Sequence, residues 1–250
     1  MAIPVFSQDL PLLSVTQMIE VDRAMMEDLR IELIQMMENA GRALAHLARE
    51  RFLDGDPRGR HVVVLAGTGG NGGGAMVGAR RLQGWGASVQ VRLTAADEDL
   101  APVPRHQLDI LRRMQVPVVG PDDQPAPREA DLVIDGLIGY SLRGAPHGAV
   151  ARLIHWANDG VAPVLSLDAP SGVDGTTGAV FEPSVRATAT MTLALPKAGL
   201  RAEAARPQVG ELYLADIGVP PSLYDEPAMG VACPGGLEAL FARSDIVRLS

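Results

Sequence analysis

The chain has 250 residues, 47% of them apolar but only 4% aromatic, so a domain-sized core has to rest on Val, Leu, Ile, Ala and Met. Its net charge of -8 sets it against non-specific nucleic-acid binding, which is driven by phosphate neutralisation. The lone cysteine, Cys233, has no partner for an internal disulfide, which fits a reducing, cytoplasmic setting. Met1–Leu13 lacks the basic start of a secretory signal, and no apolar run reaches the roughly eighteen residues of a membrane span.

Ser14–Arg51 has apolar residues at near-helical spacing, among them Met18, Val21, Met25, Met37, Leu44 and Leu47, with a break near Leu29–Glu32 that predicts two helices. Ser14 or Thr16 is placed to cap the first. His61–Ala66 (HVVVLA) is a short apolar β-branched run, the mark of a buried parallel strand. Glycines follow at once, then a helix over Ala75–Gly84, a strand over Ala87–Leu93, a helix over Arg105–Met114 and a short strand at Val116–Val119. The Pro-rich piece Gly120–Arg128 reads as a surface loop.

Further along come a strand at Asp131–Ile134, a helix over Gly148–Asn158, and strands at Val164–Leu167, Ala187–Leu195 and Gly210–Leu214. Beyond Glu226 the sequence predicts only a short helix over Gly236–Arg243. This alternation implies an α/β fold with a mostly parallel sheet and helices on both faces, in one domain.

Chemistry concentrates at three strand ends. The first strand runs into Gly67-Thr68-Gly69-Gly70-Asn71-Gly72-Gly73-Gly74. Glycine there permits positive φ or close backbone approach, and the next helix N-terminus offers free N–H groups to a phosphate. No Lys-Ser/Thr follows, so this is not a Walker loop. The strand ending at Leu93 lacks the carboxylate that holds a ribose in standard NAD dehydrogenases.

Asp135 ends one strand and precedes Gly136-Leu137-Ile138-Gly139-Tyr140-Ser141, while Asp168 ends another and precedes Ala169-Pro170-Ser171-Gly172. Two carboxylates at such positions can bind a cation, orient a ribose or move protons, or merely form turns. Ser171 reads as an oxygen ligand or hydrogen-bond donor, because the five histidines match no hydrolase triad. Lys197 either balances a ligand phosphate or is a solvated surface lysine. No Cys/His spacing points to zinc.

In order, GTGGNGGGA, DGLIGYSLRG, DAPSGVDGTTG and TLALPKAGL, together with MMENAGRALA at Met36–Ala45 and GELYLADIGVP, resemble the NAD(P)H-hydrate epimerase family, the YjeF N-terminal domain. The resemblance covers about 13–221, which implies a single domain with its core there and a C-terminal extension over 222–250. It implies a three-layer αβα Rossmann-like sandwich, usually a homodimer. It also implies an isomerase that interconverts the R and S forms of hydrated NADH and NADPH, which carry an added hydroxyl on the reduced nicotinamide ring.

The resemblance places a potassium ion on Asn71, Asp135 and Ser171. It places substrate contacts on Gly70, Asn71, Gly72, Gly73 and Gly74, on Gly139, Tyr140, Ser141, Leu142, Arg143, Gly144 and Ala145, and on Asp168. Asp168 is the first candidate for proton transfer, with Asp135 the second, and Lys197 joins the substrate set. The dehydratase domain often fused to this one is not expected within a chain of this length.

The family's N-N-G-G-D-G reads Gly70-Asn71-Gly72-Gly73-Gly74-Ala75 here, so one Asn and one Asp are replaced by glycine. Loss of that carboxylate motivates two alternatives: a non-catalytic binding or scaffold module, or a pocket in which Gly74 makes room for another nucleotide or a sugar phosphate.

Overall fold

The structure is a computed structural model that describes residues 3–123, 129–226, 229–231 and 237–250. Cys233, Gly236 and the end of the Pro-rich loop over 124–128 lie outside the described residues. In chain order the strands are β1 (Val5–Phe6), β2 (His61–Ala66), β3 (Ser88–Leu93), β4 (Val118–Val119), β5 (Leu132–Gly136), β6 (Val164–Leu167), β7 (Ala189–Leu193), β8 (Glu211–Ala215) and β9 (Ile246–Leu249). The helices are α1 (Val15–Glu27), α2 (Leu33–Phe52), α3 (Gly70–Gly84), α4 (Pro102–Arg113), α5 (Gly148–Asn158), and the short α6 (Arg206–Val209), α7 (Pro221–Tyr224) and α8 (Leu237–Leu240).

The nine strands form one sheet in the order β1-β9-β8-β7-β6-β5-β2-β3-β4, with every pairing parallel except β8 with β9. From β2 the chain winds outward through β3 to β4, then returns to the other side of β2 for β5 and winds the opposite way. That reversal leaves a crevice outside the carboxyl ends of β2 and β5, the place where open α/β sheets bind ligands.

The layers follow from side-chain alternation along β2. Val62, Val64 and Ala66 join Leu44, Leu47, Met76 and Leu82 of α2 and α3, while Val63 and Leu65 join Leu153, Ile154 and Trp156 of α5. A strand buried on both faces reads as a continuous apolar run, which is why HVVVLA was legible. Among the described residues no helix is long and apolar enough to cross a membrane.

Two features depart from the sequence reading. The helix expected from Ala75 begins at Gly70, so the glycines form its first turn rather than a loop before it. Packing overrides glycine's poor helix propensity here. Two strands were also missed, β1 and β9, at opposite ends of the chain. They pair with each other, and β9 joins the sheet through an antiparallel pairing with β8, Leu214 opposite Val247, which leaves β1 at the edge. A short strand whose partners lie far away in sequence leaves little local periodicity to read.

Candidate functional site

The crevice holds a cavity of about 440 Å³, walled by Met18, Ile19, Asp22 and Met26 of α1, by Met36, Met37 and Ala40 of α2, and by Gly70, Asn71 and Gly74 of α3. Its floor and rim are Gly139, Tyr140 and Ser141 after β5, with Leu167 and Asp168 at the end of β6. This volume is in the range of small-molecule sites.

Close approach, not φ, explains the glycines of the first turn, for none of Gly67–Gly74 has a left-handed backbone. A Cβ on Gly72 would lie 2.0 Å from the carbonyl oxygen of Gly67, so the turn and the strand end can meet only without side chains. Gly139 is similar on the far rim. A Cβ there would lie 2.9 Å from Asp168 Oδ2 and 3.2 Å from Asn71 Oδ1, so its absence lets the amide and the carboxylate converge on the rim.

The two strand-end aspartates, a matched pair by sequence, are not equivalent. Asp168 lines the cavity with 4% exposure and a left-handed backbone, φ +66°. For a residue other than glycine that conformation costs about 1–2 kcal/mol. Its Oδ2 accepts the Tyr140 N–H at 2.9 Å, and its Oδ1 accepts from the Lys197 ammonium. Lys197 is fully buried and also reaches the Leu193 carbonyl at 2.9 Å. The solvated surface lysine allowed by sequence is therefore ruled out. Its ammonium pairs with Asp168, and Lys197 itself does not line the cavity.

Asp135 is sealed below the cavity with no exposed surface. Its oxygens accept from the Ser171 hydroxyl at 2.6 Å, the Ser171 N–H at 2.9 Å, the Ser166 hydroxyl at 2.8 Å and the Leu137 N–H at 3.2 Å. Burial pushes its carboxyl above the usual range, and these four donors oppose the rise. Ser171, equally buried, also accepts the Ile138 N–H at 2.9 Å, so the D-G-L-I and P-S-G loops are tied through one hydroxyl. A carboxylate with this surrounding is placed to position loops or hold an ion, and it does not line the cavity.

Of the remaining expected residues, Gly70, Asn71, Gly74, Gly139, Tyr140 and Ser141 reach the cavity wall. Gly72 and Gly73 are buried within the first turn of α3, and Arg143, Gly144 and Ala145 are exposed beyond the rim with Leu142 beside them. The space attributed to Gly74 is not open: a Cβ there would lie 3.0 Å from a Leu167 methyl.

Sequence reading missed Asp22. The helix α1 that carries it is held over the cavity by Ser14, whose side chain caps it in a reciprocal pair with Gln17, and by backbone bonds between Leu13 and both Pro196 and Ala198. Asp22 accepts a short hydrogen bond from the Tyr140 hydroxyl. Burial raises its carboxyl above the usual value, against the lowering effect of Tyr140 and Lys197. Burial and the Asp22 charge push the Tyr140 phenol upward in turn. The available signal was a carboxylate within the apolar stripe of Met18, Val21 and Met25.

A family model described as YjeF-related protein N-terminus matches residues 33–199. The chain belongs to this YjeF-related family. It is 45% identical to the NAD(P)H-hydrate epimerase of Dehalogenimonas lykanthroporepellens over 85% of this chain and 84% of that relative. It is 33% identical to the bifunctional NAD(P)H-hydrate repair enzyme Nnr of Salinibacter ruber over 89% of this chain, and spans 43% of that longer protein. The fold matches the crystal structure of yeast YNL200c with a TM-score of 0.79 at 24% identity, covering 95% of this chain and 99% of the yeast one. The YjeF-related match includes the glycine turn, both strand-end aspartates, Ser171 and Lys197, but begins after α1 and so leaves Asp22 outside it.

Proposed function

We propose that this chain is an NAD(P)H-hydrate epimerase, acting on the hydrated, damaged forms of NADH and NADPH so that a separate dehydratase can restore them. The observation that carries this reading is the 45% identity to a named epimerase over most of both chains, on a fold whose crevice supplies the required kind of cavity. The apolar wall of Met18, Met36, Met37 and Ala40 suits a nicotinamide or adenine ring, and the N–H groups of the first turn of α3, which have no partner within the helix, suit the pyrophosphate. Incubation of the protein with the R epimer and an S-specific dehydratase tests it. Conversion faster than spontaneous epimerisation is expected, and none beyond the spontaneous rate would remove the reading.

Potassium is part of the proposal, and the residues fit it. Asn71 Nδ2 is buried without a hydrogen-bond partner among the described residues, and a turned amide puts its oxygen in the same place. Asp135 is a fully buried carboxylate with no Lys, Arg or His paired to it among the described residues. With the Ser171 hydroxyl these make an all-oxygen donor set of low charge, matched to an alkali cation rather than to zinc. Bound there, the ion would neutralise Asp135 and stiffen the junction of the α3 turn with the loops after β5 and β6. Asn71, Asp135 and Ser171 would hold it, and Asp168 would hold the substrate from above.

A homodimer is also proposed, on the family resemblance and on apolar residues left outside on the N-terminal segment, Leu12, Ile19 and Leu29, with Ile19 54% exposed. Sedimentation velocity decides it, with a single species at twice the chain mass expected.

A further inference from the structure

The cavity has a second carboxyl that the family motifs do not include. Asp22 comes from the helical wall, Asp168 from the sheet floor, and one residue joins them: Tyr140 donates its hydroxyl to Asp22 and its backbone N–H to Asp168. The charged and titratable groups around Asp22 are Tyr140 after β5, Asp168 after β6, Lys197 after β7, and Arg23 and Glu27 on its own helix. Lys197 is committed to Asp168, and Arg23 to Glu20, Glu27 and Asp28. Among the described residues no cation is ion-paired with Asp22, whereas Asp168 has one buried beside it. The two carboxyls thus differ in environment: Asp22 is buried without a paired cation among the described residues, and Asp168 lies against the Lys197 side chain.

We propose that Asp22, with the Tyr140 hydroxyl, is a second proton-transferring group of this cavity and works against Asp168. The proposal rests on the epimerase reading. Water adding to a reduced nicotinamide ring leaves its hydroxyl on the carbon bonded to the ring nitrogen, because that carbon is the electrophilic end of a protonated enamine. Epimerisation then needs one proton given and one taken. The Asp22 carboxyl gives its proton to the hydroxyl, the C–O bond breaks with its electron pair leaving on water, and the nitrogen lone pair forms the C=N bond. Water attacks the opposite face, the C=N pair returns to nitrogen, and the Asp168 carboxylate takes the released proton. Exchange with solvent restores both carboxyls, and the reverse epimerisation uses them in exchanged roles. Separating a proton donor from an acceptor by environment is a general route to acid–base chemistry at neutral pH. The burial-raised carboxyl of Asp22 supports the assignment of donor.

The test compares wild type, Asp22→Asn and Tyr140→Phe in the coupled epimerase assay from about pH 5 to about pH 9, with KM and kcat separated and folding checked by thermal melting. For wild type, kcat declines on the alkaline side as Asp22 loses its proton. In Asp22→Asn, kcat falls about 100-fold or more, KM stays within about threefold, and that limb disappears. Tyr140→Phe removes a hydrogen bond that favours ionised Asp22, so the alkaline limb moves to higher pH. Asp22→Asn with kcat within about threefold of wild type and the limb intact overturns the proposal while leaving the epimerase reading standing. If Asp22→Asn fails to fold, the Tyr140→Phe limb decides, and no upward movement overturns it. A wild-type protein that does not accelerate epimerisation overturns both.

Discussion

Lys197 and Asp168 form an ion pair in which neither side chain is more than 5% exposed. Such a pair adds little net stability against an apolar substitute, but losing one partner strands the other charge in the interior at a cost of about 3–5 kcal/mol. Lys197→Met is therefore expected to lose stability on that scale in urea titration, and to weaken dinucleotide binding because Asp168 loses the partner that fixes its side chain at the cavity floor. Asp168→Asn in the Lys197→Met background should recover part of the stability, since the two changes share one interaction. Simple addition of the two costs would refute a coupled pair.

Asp135 predicts an ion effect with a defined sign. Its carboxyl is raised from 3.8 by burial, so folding favours the protonated form. The stability this group contributes is present below its ordinary value and is lost as pH rises through the raised one. A cation binds the ionised form, so the stabilisation by potassium should grow as pH rises above the ordinary carboxylate range. Ligand at about 100 times its Kd adds about 2.7 kcal/mol. Thermal melts in potassium against a large organic cation at matched ionic strength measure this. Asp135→Asn should remove the difference, and an equal shift in that variant would exclude Asp135 from the ion site.

The glycines of the α3 turn should divide by what a Cβ meets. At Gly72 it meets the Gly67 backbone at 2.0 Å, which cannot move without displacing β2. Gly72→Ala is expected to cost more than about 3 kcal/mol, beyond ordinary overpacking. At Gly70 a Cβ meets only the Met37 terminal methyl at 3.6 Å, an ordinary contact. Gly70→Asn, which restores the family's residue, should stay within about 1 kcal/mol of wild type, as replacement of glycine in a helix permits. Chemical denaturation of both variants decides it, and similar losses at the two positions would show that close approach is not what selects glycine here.

The sheet, its direction and the site's place in it were legible because β2, β5 and β6 are short apolar runs that end in or run straight into glycine or aspartate, and their order implies the crevice. What sequence could not show was depth. Asp135, Asp168 and Lys197 look alike as polar residues at strand ends, yet one is sealed, one lines the cavity and one is a buried counter-ion. Depth depends on partners far away in sequence: Ser171 for Asp135, Lys197 for Asp168, Tyr140 for Asp22. Asp22 was hidden for the same reason, because a carboxylate on an amphipathic helix is read as solvent-facing until the opposing loop is known. Beyond Glu226, β9 owes its place to β8 and β1 rather than to its own pattern.

Gly74 is the departure with the sharpest consequence. The family's aspartate cannot simply be restored, because a Cβ would stand 3.0 Å from Leu167 Cδ2 and 3.9 Å from Ala40 Cβ. Leu167 faces the cavity beside Asp168, so its methyl fills the side from which a carboxylate would reach a ligand. Gly74→Asp alone should destabilise by about 1–3 kcal/mol through overpacking. Leu167→Ala alone should cost about 2–5 kcal/mol as a buried truncation. Together they should cost less than the sum, because each relieves the strain or void left by the other. In that double variant the new carboxylate is free to accept from a ribose hydroxyl, a hydrogen bond to a charged group worth about 1.5–3 kcal/mol. Calorimetric titration with NADPH should then show tighter binding than in Leu167→Ala alone, by about tenfold or more. Equal affinity in the two would mean that the missing carboxylate contributes nothing to ligand binding in this cavity, and that Leu167 substitutes for it by apolar contact.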